Sequence, residues 1–253
     1  MRTWIKKLLL VLCLCSICQA DWGSLEDFTG YTEVDGGSDI TVAKNVITMT
    51  DFQTRLVTSY VYSDKDAAHF NDDFSHRFIS NMSAMNASAS GPGYVCVYGL
   101  TSIIGDRRGV GIGGGDAIWA FFGRDGGGYK IYFQLYENGS GVVTDIYTGF
   151  SLSTDYYFTA TRDYDGGVNN TGRYTLYICT SNYYGETGAN LVDTLLADSS
   201  AGQQNDFRYV ETAAGYDDND NSYSVSGTIS NLDLGEAAPP TGGGGQVIMV
   251  EEI

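Results

Sequence analysis

Two histidines, His69 and His76, bracket an acidic stretch, HFNDDFSH, that also holds Asp72 and Asp73. Imidazole beside carboxylate can chelate a metal or move a proton, but this spacing fits no recognised metal pattern. Histidines in such a stretch are more often surface or packing residues. Denser oxygen donors lie in Asp217-Asp218-Asn219-Asp220-Asn221, where Asp217, Asp218 and Asp220 are the candidate calcium ligands. Calcium takes roughly six to eight oxygens. A second acidic loop holds Asp163, Asp165 and Asn169. Neither matches the twelve-residue loop of helical calcium hands, and a solvated turn is the plain alternative for both. A retaining glycosidase needs two carboxyl groups about 5–5.5 Å apart, which alternate positions on one strand would supply. Glu137, Glu186 and Glu211 each stand alone. Gly111-Ile112-Gly113-Gly114-Gly115 lacks the closing Lys-Ser or Lys-Thr and the following helix of a phosphate loop. No local motif supports a serine or cysteine nucleophile. The sequence therefore assigns no catalytic residue.

Binding chemistry is better represented. Alternation with a period of two recurs along the chain, broken by Gly, Asp and Asn, and helical periodicity is nearly absent. Expected strands are Ile40–Ala43, Val46–Thr50, Arg55–Tyr62, Phe74–Ser80, Tyr94–Thr101, Ala117–Arg124, Tyr129–Glu137, Val142–Tyr147, Tyr156–Asp163, Arg173–Thr180, Phe207–Ala213 and Ser224–Asp233. Asp125-Gly126-Gly127-Gly128, Asn138-Gly139 and Asp165-Gly166-Gly167 supply turns with positive φ. The pattern implies an all-β fold, an antiparallel sandwich or barrel.

Parity sorts the side chains. Ile131, Phe133, Leu135, Tyr174, Leu176, Ile178, Val95, Val97, Tyr156, Phe158 and Ala160 form the inward set. The opposite set is Tyr94, Tyr98, Tyr132, Gln134, Tyr136, Tyr157 and Tyr177, with Thr159 and Thr175 among them. Tyrosine joins an apolar ring to a hydroxyl, which suits sugar rings on a wet surface. Cross-strand pairing on exposed faces, split between two sheets, would give the same pattern. Ala117–Arg124 is apolar on both sides, so it is expected to be central, with Trp119 in the core or the floor of a groove.

The first twenty residues read as a secretory signal peptide: Arg2, Lys6 and Lys7, an apolar stretch over 8–17, and Ala20 before Asp21. Removing them takes the net charge from −17 to −20, since they hold three basic residues and no acidic one. Such a surface disfavours nucleic acid and anionic lipid as partners. No other apolar run reaches membrane length, so the expected location is secreted or at the cell surface. Two cysteines remain, Cys96 and Cys179, which an exported chain could join as one disulfide or keep as two buried thiols. One domain is expected over 21–236. Residues 237–253 read as a Pro/Gly linker and a short tail, QVIMVEEI.

Particular segments carry a resemblance. Asp27-Phe28-Thr29, Ile47-Thr48-Met49-Thr50, Tyr60-Val61-Tyr62-Ser63-Asp64, His69-Phe70 and Asp73-Phe74-Ser75-His76 come first. Tyr156 to Asp163, Tyr174 to Cys179 and Gly227 to Leu234 follow. Over about 25–235 this order is similar to the concanavalin A-like lectin/glucanase superfamily, in its laminin G-like jelly-roll branch. The resemblance implies a two-sheet antiparallel jelly-roll β-sandwich whose relatives bind sugars or proteins, or act as glycosidases and lyases. Sandwich glucanases of that superfamily carry a Glu-x-Asp-x-x-Glu strand, which is absent from this sequence. Its relatives often hold calcium at a rim, the one cofactor implied. The expected function is non-catalytic binding of a polysaccharide or glycan-bearing surface. A structural or adhesive protein that binds other surface proteins is the alternative, and a hydrolase or lyase with an unrecognised site is the third.

Overall fold

The computed structural model describes residues 25–53, 59–67, 69–86, 93–105, 113–125, 128–167, 170–181, 189–200, 206–216 and 223–235. The leader over 1–20, the calcium candidates Asp217, Asp218 and Asp220, and the tail over 237–253 lie outside them.

The strands are β1 (Thr32–Val34), β2 (Ile40–Ala43), β3 (Val46–Gln53), β4 (Tyr60–Asp64) and β5 (Phe74–Asn86). Then come β6 (Gly93–Thr101), β7 (Ala117–Asp125), β8 (Gly128–Glu137), β9 (Ser140–Tyr147) and β10 (Tyr156–Asp163). Last are β11 (Arg173–Cys179), β12 (Leu191–Asp198), β13 (Tyr209–Thr212), β14 (Ala214–Tyr216) and β15 (Ser224–Asp233). A short 3₁₀ turn at Phe28–Gly30 precedes them, capped by Asp27, whose carboxylate accepts from the Thr29 N–H at 3.0 Å.

The strands form two antiparallel sheets. The eight-stranded sheet runs β1-β4-β13-β6-β7-β8-β9, with β14 also on β6, and the seven-stranded sheet runs β12-β11-β10-β5-β15-β3-β2. The fold is thus an all-β two-sheet sandwich, as the alternation implied. Local hairpins such as β7–β8 close at residues 125 and 128, and β8–β9 turns at Asn138 (φ 50°) and Gly139 (φ 75°). Two positive φ values in succession suit the twist of a hairpin.

The core lies between the sheets. Ile131, Phe133 and Leu135 of β8 face Phe158 and Ala160 of β10 and Tyr174, Leu176 and Ile178 of β11, all buried in one cluster. Phe78 stacks between Phe158 and Tyr98, at centroid distances of 4.7 and 5.0 Å. Burying side chains of this size supplies about 1.5–3 kcal/mol each, the main force holding the sheets together.

Tyr98 is a correction to simple parity. The β6–β7 register shifts between Cys96 and Tyr98, so Val97 and Tyr98 both join the core. A bulge of one residue reverses the side to which every later residue points. Tyr98 is 1% exposed and leaves the outward set.

Candidate functional site: an aromatic face on the eight-stranded sheet

Outside the core, the eight-stranded sheet carries a second cluster: Cys96, Ala117, Trp119, Phe121, Tyr132 and Ala214, with Tyr60, Tyr94, Ile103 and Tyr136 packed against it. Its members alternate with core residues. Trp119 and Phe121 alternate with Ile118, Ala120 and Phe122 on β7, and Tyr132 and Tyr136 with Ile131, Phe133 and Leu135 on β8. Strands apolar on both sides are what a central β7 requires.

The rings form a connected layer. Tyr94 meets Tyr132 edge to face at 5.1 Å, and Phe121 at 6.3 Å. Trp119 lies 5.5 Å from Phe121 and 5.2 Å from Tyr136. Glycines let these rings lie close to the sheet. A Cβ at Gly123 would come 2.6 Å from Tyr94 and 2.8 Å from Tyr132, and one at Gly99 would come 2.2 Å from the Trp119 ring.

Between the rings opens a recess of about 180 Å³, lined by Tyr94, Phe121, Tyr132, Gln134 and Thr144. Gln134 Nε2 donates to Thr144 Oγ1 at 2.9 Å across β8 and β9, which fixes the amide at the rim. The recess therefore offers ring faces together with an amide and a hydroxyl.

One row of the sheet passes beneath the site. Register aligns Tyr62, Glu211, Gly99, Trp119, Gln134 and Thr144 from β4 to β9. Glu211 is fully buried, and its Oε1 accepts from the Gly105 N–H at 3.1 Å. Farther along, Tyr62 meets Tyr209 edge to face at 6.2 Å and Tyr60 at 5.9 Å. The aromatic face so spans four inter-strand steps, about 19 Å.

Of the tyrosines expected on one face, Tyr94, Tyr132 and Tyr136 meet there with Gln134, and Trp119 is packed into the same cluster at 1% exposure without lining the recess. Tyr157 and Tyr177 do not. They sit on β10 and β11, on the outward side of the seven-stranded sheet, with Thr159 and Thr175. Parity places a residue relative to its own strand but is silent on which sheet the strand enters. Phe121, Thr144, Tyr60, Tyr62, Tyr209 and Glu211 were not foreseen. Phe121 shares the parity of Trp119 two residues earlier, so its side was readable.

Cys96 and Cys179 are not joined to each other. Both are buried, one on β6 and one on β11, on the outward sides of different sheets. The thickness of two sheets, about 10 Å, exceeds the reach of a disulfide. His76 points between the sheets and shares a hydrogen bond with Tyr98 at 2.7 Å, while Asp73 accepts from the Tyr164 N–H. Among the described residues no three His, Cys, Asp or Glu side chains converge on a common point suited to a metal. None of their helices is long and apolar enough to cross a membrane.

No family model matches the chain, and no curated protein matches it. Solved structures do. A mutant of the alginate lyase Aly36B in complex with an alginate trisaccharide is 13% identical, with 82% of this chain and 88% of that chain covered, at a TM-score of 0.52. A second Aly36B mutant, in complex with an alginate tetrasaccharide, is 16% identical over 82% and 87%, also at 0.52. At this identity the likeness is one of fold, the jelly-roll sandwich.

Proposed function

We propose that this chain is an exported, non-catalytic carbohydrate-binding module of the concanavalin A-like, laminin G-like kind. The observation that carries this reading is the recess between Tyr94, Phe121 and Tyr132, with Gln134 and Thr144 at its rim. Sugar rings have apolar faces and hydroxyl edges. Tyrosine faces take the former, and a fixed amide and hydroxyls take the latter. A larger depression, about 410 Å³, lies on the other sheet near Asn81, Asp155 and Ser226, but no aromatic ring lines it.

The net charge, −17 for the full chain and −20 without its first twenty residues, favours neutral glycans over polyanionic ones, because like charge raises the cost of approach. Calcium at Asp217, Asp218 and Asp220 belongs to the same reading as a rim ion beside the sandwich.

The test is a glycan array joined to a polysaccharide pull-down, with and without calcium, on the exported chain. Binding to a neutral polysaccharide that falls at least tenfold in Tyr132→Ala and Gln134→Ala supports the assignment. Absence of binding to every glycan in both conditions would sink it. Binding that survives both substitutions would move the site off this face.

A further inference from the structure

Arg162 is on β10 with the inward parity of Tyr156, Phe158 and Ala160, and it is 2% exposed. Arginine does not lose its proton in a protein, so a full positive charge sits between the sheets. Its Nη1 donates to the Phe70 carbonyl at 2.7 Å. Its Nε and Nη2 have no hydrogen-bond partner among the described residues. Tyrosine rings flank the group, with the guanidinium carbon 5.0 Å from the Tyr164 centroid and 5.4 Å from that of Tyr174.

Nε and Nη2 form one edge of the guanidinium, the fork that takes both oxygens of a carboxylate. Two other arginines of this chain show that use. Arg173 gives Nε and Nη2 to Asp198 at 2.7 and 3.0 Å. Arg208 gives the same edge to Asp64 at 2.7 and 2.5 Å. Both of those pairs are solvent-accessible, whereas Arg162 is buried and its fork is bare.

Glu137 and Asp116, whose charges act on Tyr174, are engaged elsewhere, as is Asp73. Asp73 accepts from the Tyr164 N–H, Glu137 accepts from the Ser200 N–H and hydroxyl, and Asp116 accepts from the Asn138 N–H. Register puts Phe74, Arg162 and Tyr174 in one row of β5, β10 and β11. The Tyr174 hydroxyl and Ser199 Oγ are buried and close enough to interact, and neither has a hydrogen bond to any other described residue. Burial pushes the Tyr174 hydroxyl up to about 12, with Arg162 opposing, so it stays a donor at neutral pH. The bare guanidinium edge thus lies one register step from Tyr174, which carries this hydroxyl pair. A buried cation is costly unless paired.

We propose that the Nε–Nη2 edge of Arg162 is an internal binding site for a small oxyanion of formate or acetate size, with the Tyr174 and Ser199 hydroxyls as further donors. The flanking tyrosine rings favour a flat, two-oxygen anion. Once bound, it neutralises the guanidinium and links β10 to β11 and the segment after β12. This site is separate from the aromatic face and does not depend on glycan binding.

The experiment is thermal unfolding of the full chain, refolded from denaturant into chloride buffer to strip resident anions. Formate, acetate or sulfate is then titrated at constant ionic strength. A ligand that binds only the native state raises Tm saturably. Formate should raise Tm by about 3 °C or more in the unsubstituted chain. Arg162→Met should abolish the response, and Arg162→Lys, which keeps the charge but lacks the fork, should weaken it. A rise with formate and acetate alone marks a carboxylate site, and one that includes sulfate marks a general oxyanion site. No saturable rise, or an equal rise in Arg162→Met, overturns the proposal. If Arg162→Met does not fold, ¹³C-formate NMR on the unsubstituted chain decides. Saturable line broadening reversed by acetate supports the site, and its absence refutes it.

Discussion

His76 Nδ1 lies 2.7 Å from the Tyr98 hydroxyl in the interior between the sheets. The pair joins β5 of one sheet to β6 of the other. Phe70 and Phe74 enclose the imidazole, with Phe74 stacked on it at 4.3 Å. Burial holds His76 down to about 3, with the positive charges of His69 and Lys65 acting in the same direction. The imidazole is therefore neutral throughout the ordinary pH range.

A pH dependence follows from that displacement. The unfolded chain takes a proton on His76 as pH falls through its ordinary value of 6.5, while the native chain resists until about 3. Between those values the unfolded state binds more protons, so stability decreases as pH falls. The slope is at most about 1.4 kcal/mol per pH unit from this group. Above 6.5 the contribution is flat. Urea unfolding at pH 4, 5, 6 and 7 should show a steeper acid loss in the natural chain than in His76→Gln. Parallel curves would refute the role given to His76.

Tyr98→Phe isolates the other half of the pair. It keeps the ring that stacks on Phe78 and removes only the hydroxyl. The buried imidazole then loses its partner, at a cost of about 1–3 kcal/mol. Urea midpoints at pH 7 measure it. A loss below about 0.5 kcal/mol, within the range of a neutral surface change, would mean that the hydrogen bond contributes little.

Two ion pairs separate burial from exposure. Glu26 Oε2 accepts from Lys65 Nζ and from the Tyr31 hydroxyl, both at 2.9 Å, and the paired side chains are 16% and 13% exposed. Asp64 and Arg208 are bidentate but each 40% exposed. Glu26→Gln should lower stability by about 1–3 kcal/mol, because it weakens two bonds in a partly dry site. Asp64→Asn should cost less than Glu26→Gln, and high salt should remove what it costs. The comparison is read from urea midpoints at low and high salt, and an equal cost for the two would contradict it.

The thiols give a simple check. With Cys96 and Cys179 on different sheets, a reducing agent should leave Tm unchanged. Thiol titration of the unfolded chain without its first twenty residues should count two groups. One bridge, seen as no titratable thiol before reduction, would contradict the placement of β6 and β11.

Much of the architecture was legible because alternation is a local property. β2, β10 and β15 have the bounds that alternation gave, and the inward set of β8 and β11 is the observed core. The omissions have physical causes. In β12, LVDTLLAD sets apolar residues side by side, since Leu195 and Ala197 face the core while Val192 and Leu196 are exposed. An edge strand with apolar residues on both sides shows no clean alternation. The expected strand over 207–213 is interrupted at Ala213, whose φ of 50° no alanine signals in advance. The aromatic site was half legible. Tyr94, Trp119, Tyr132 and Tyr136 share a face because β6, β7 and β8 are sequential neighbours. Glu211 joins the same row only because β13 inserts between β4 and β6, a long-range pairing that spacing along the chain does not encode.

That insertion makes Gly99 the most sensitive position of the face. It stands between Glu211 and Trp119 in the row, and its missing side chain is the space that the indole occupies. An added Cβ would lie 2.2 Å from Trp119 Cδ1 and 2.5 Å from Nε1, closer than any real contact. The indole cannot shift sideways freely, because Phe121 and Tyr136 hold it at 5.5 and 5.2 Å. Overpacking of this kind costs about 1–3 kcal/mol. Gly99→Ala should therefore lower the urea midpoint and lift the indole away from the sheet. Trp119 is 1% exposed, so its emission should move to longer wavelength as the ring meets water. Trp119→Phe, which fits the same space with a smaller ring, should tolerate Gly99→Ala better than the natural chain does. A double-mutant cycle of these two changes should show coupling of at least about 0.5 kcal/mol. If the two effects simply add, Trp119 does not rest on Gly99 and the aromatic cluster is arranged differently.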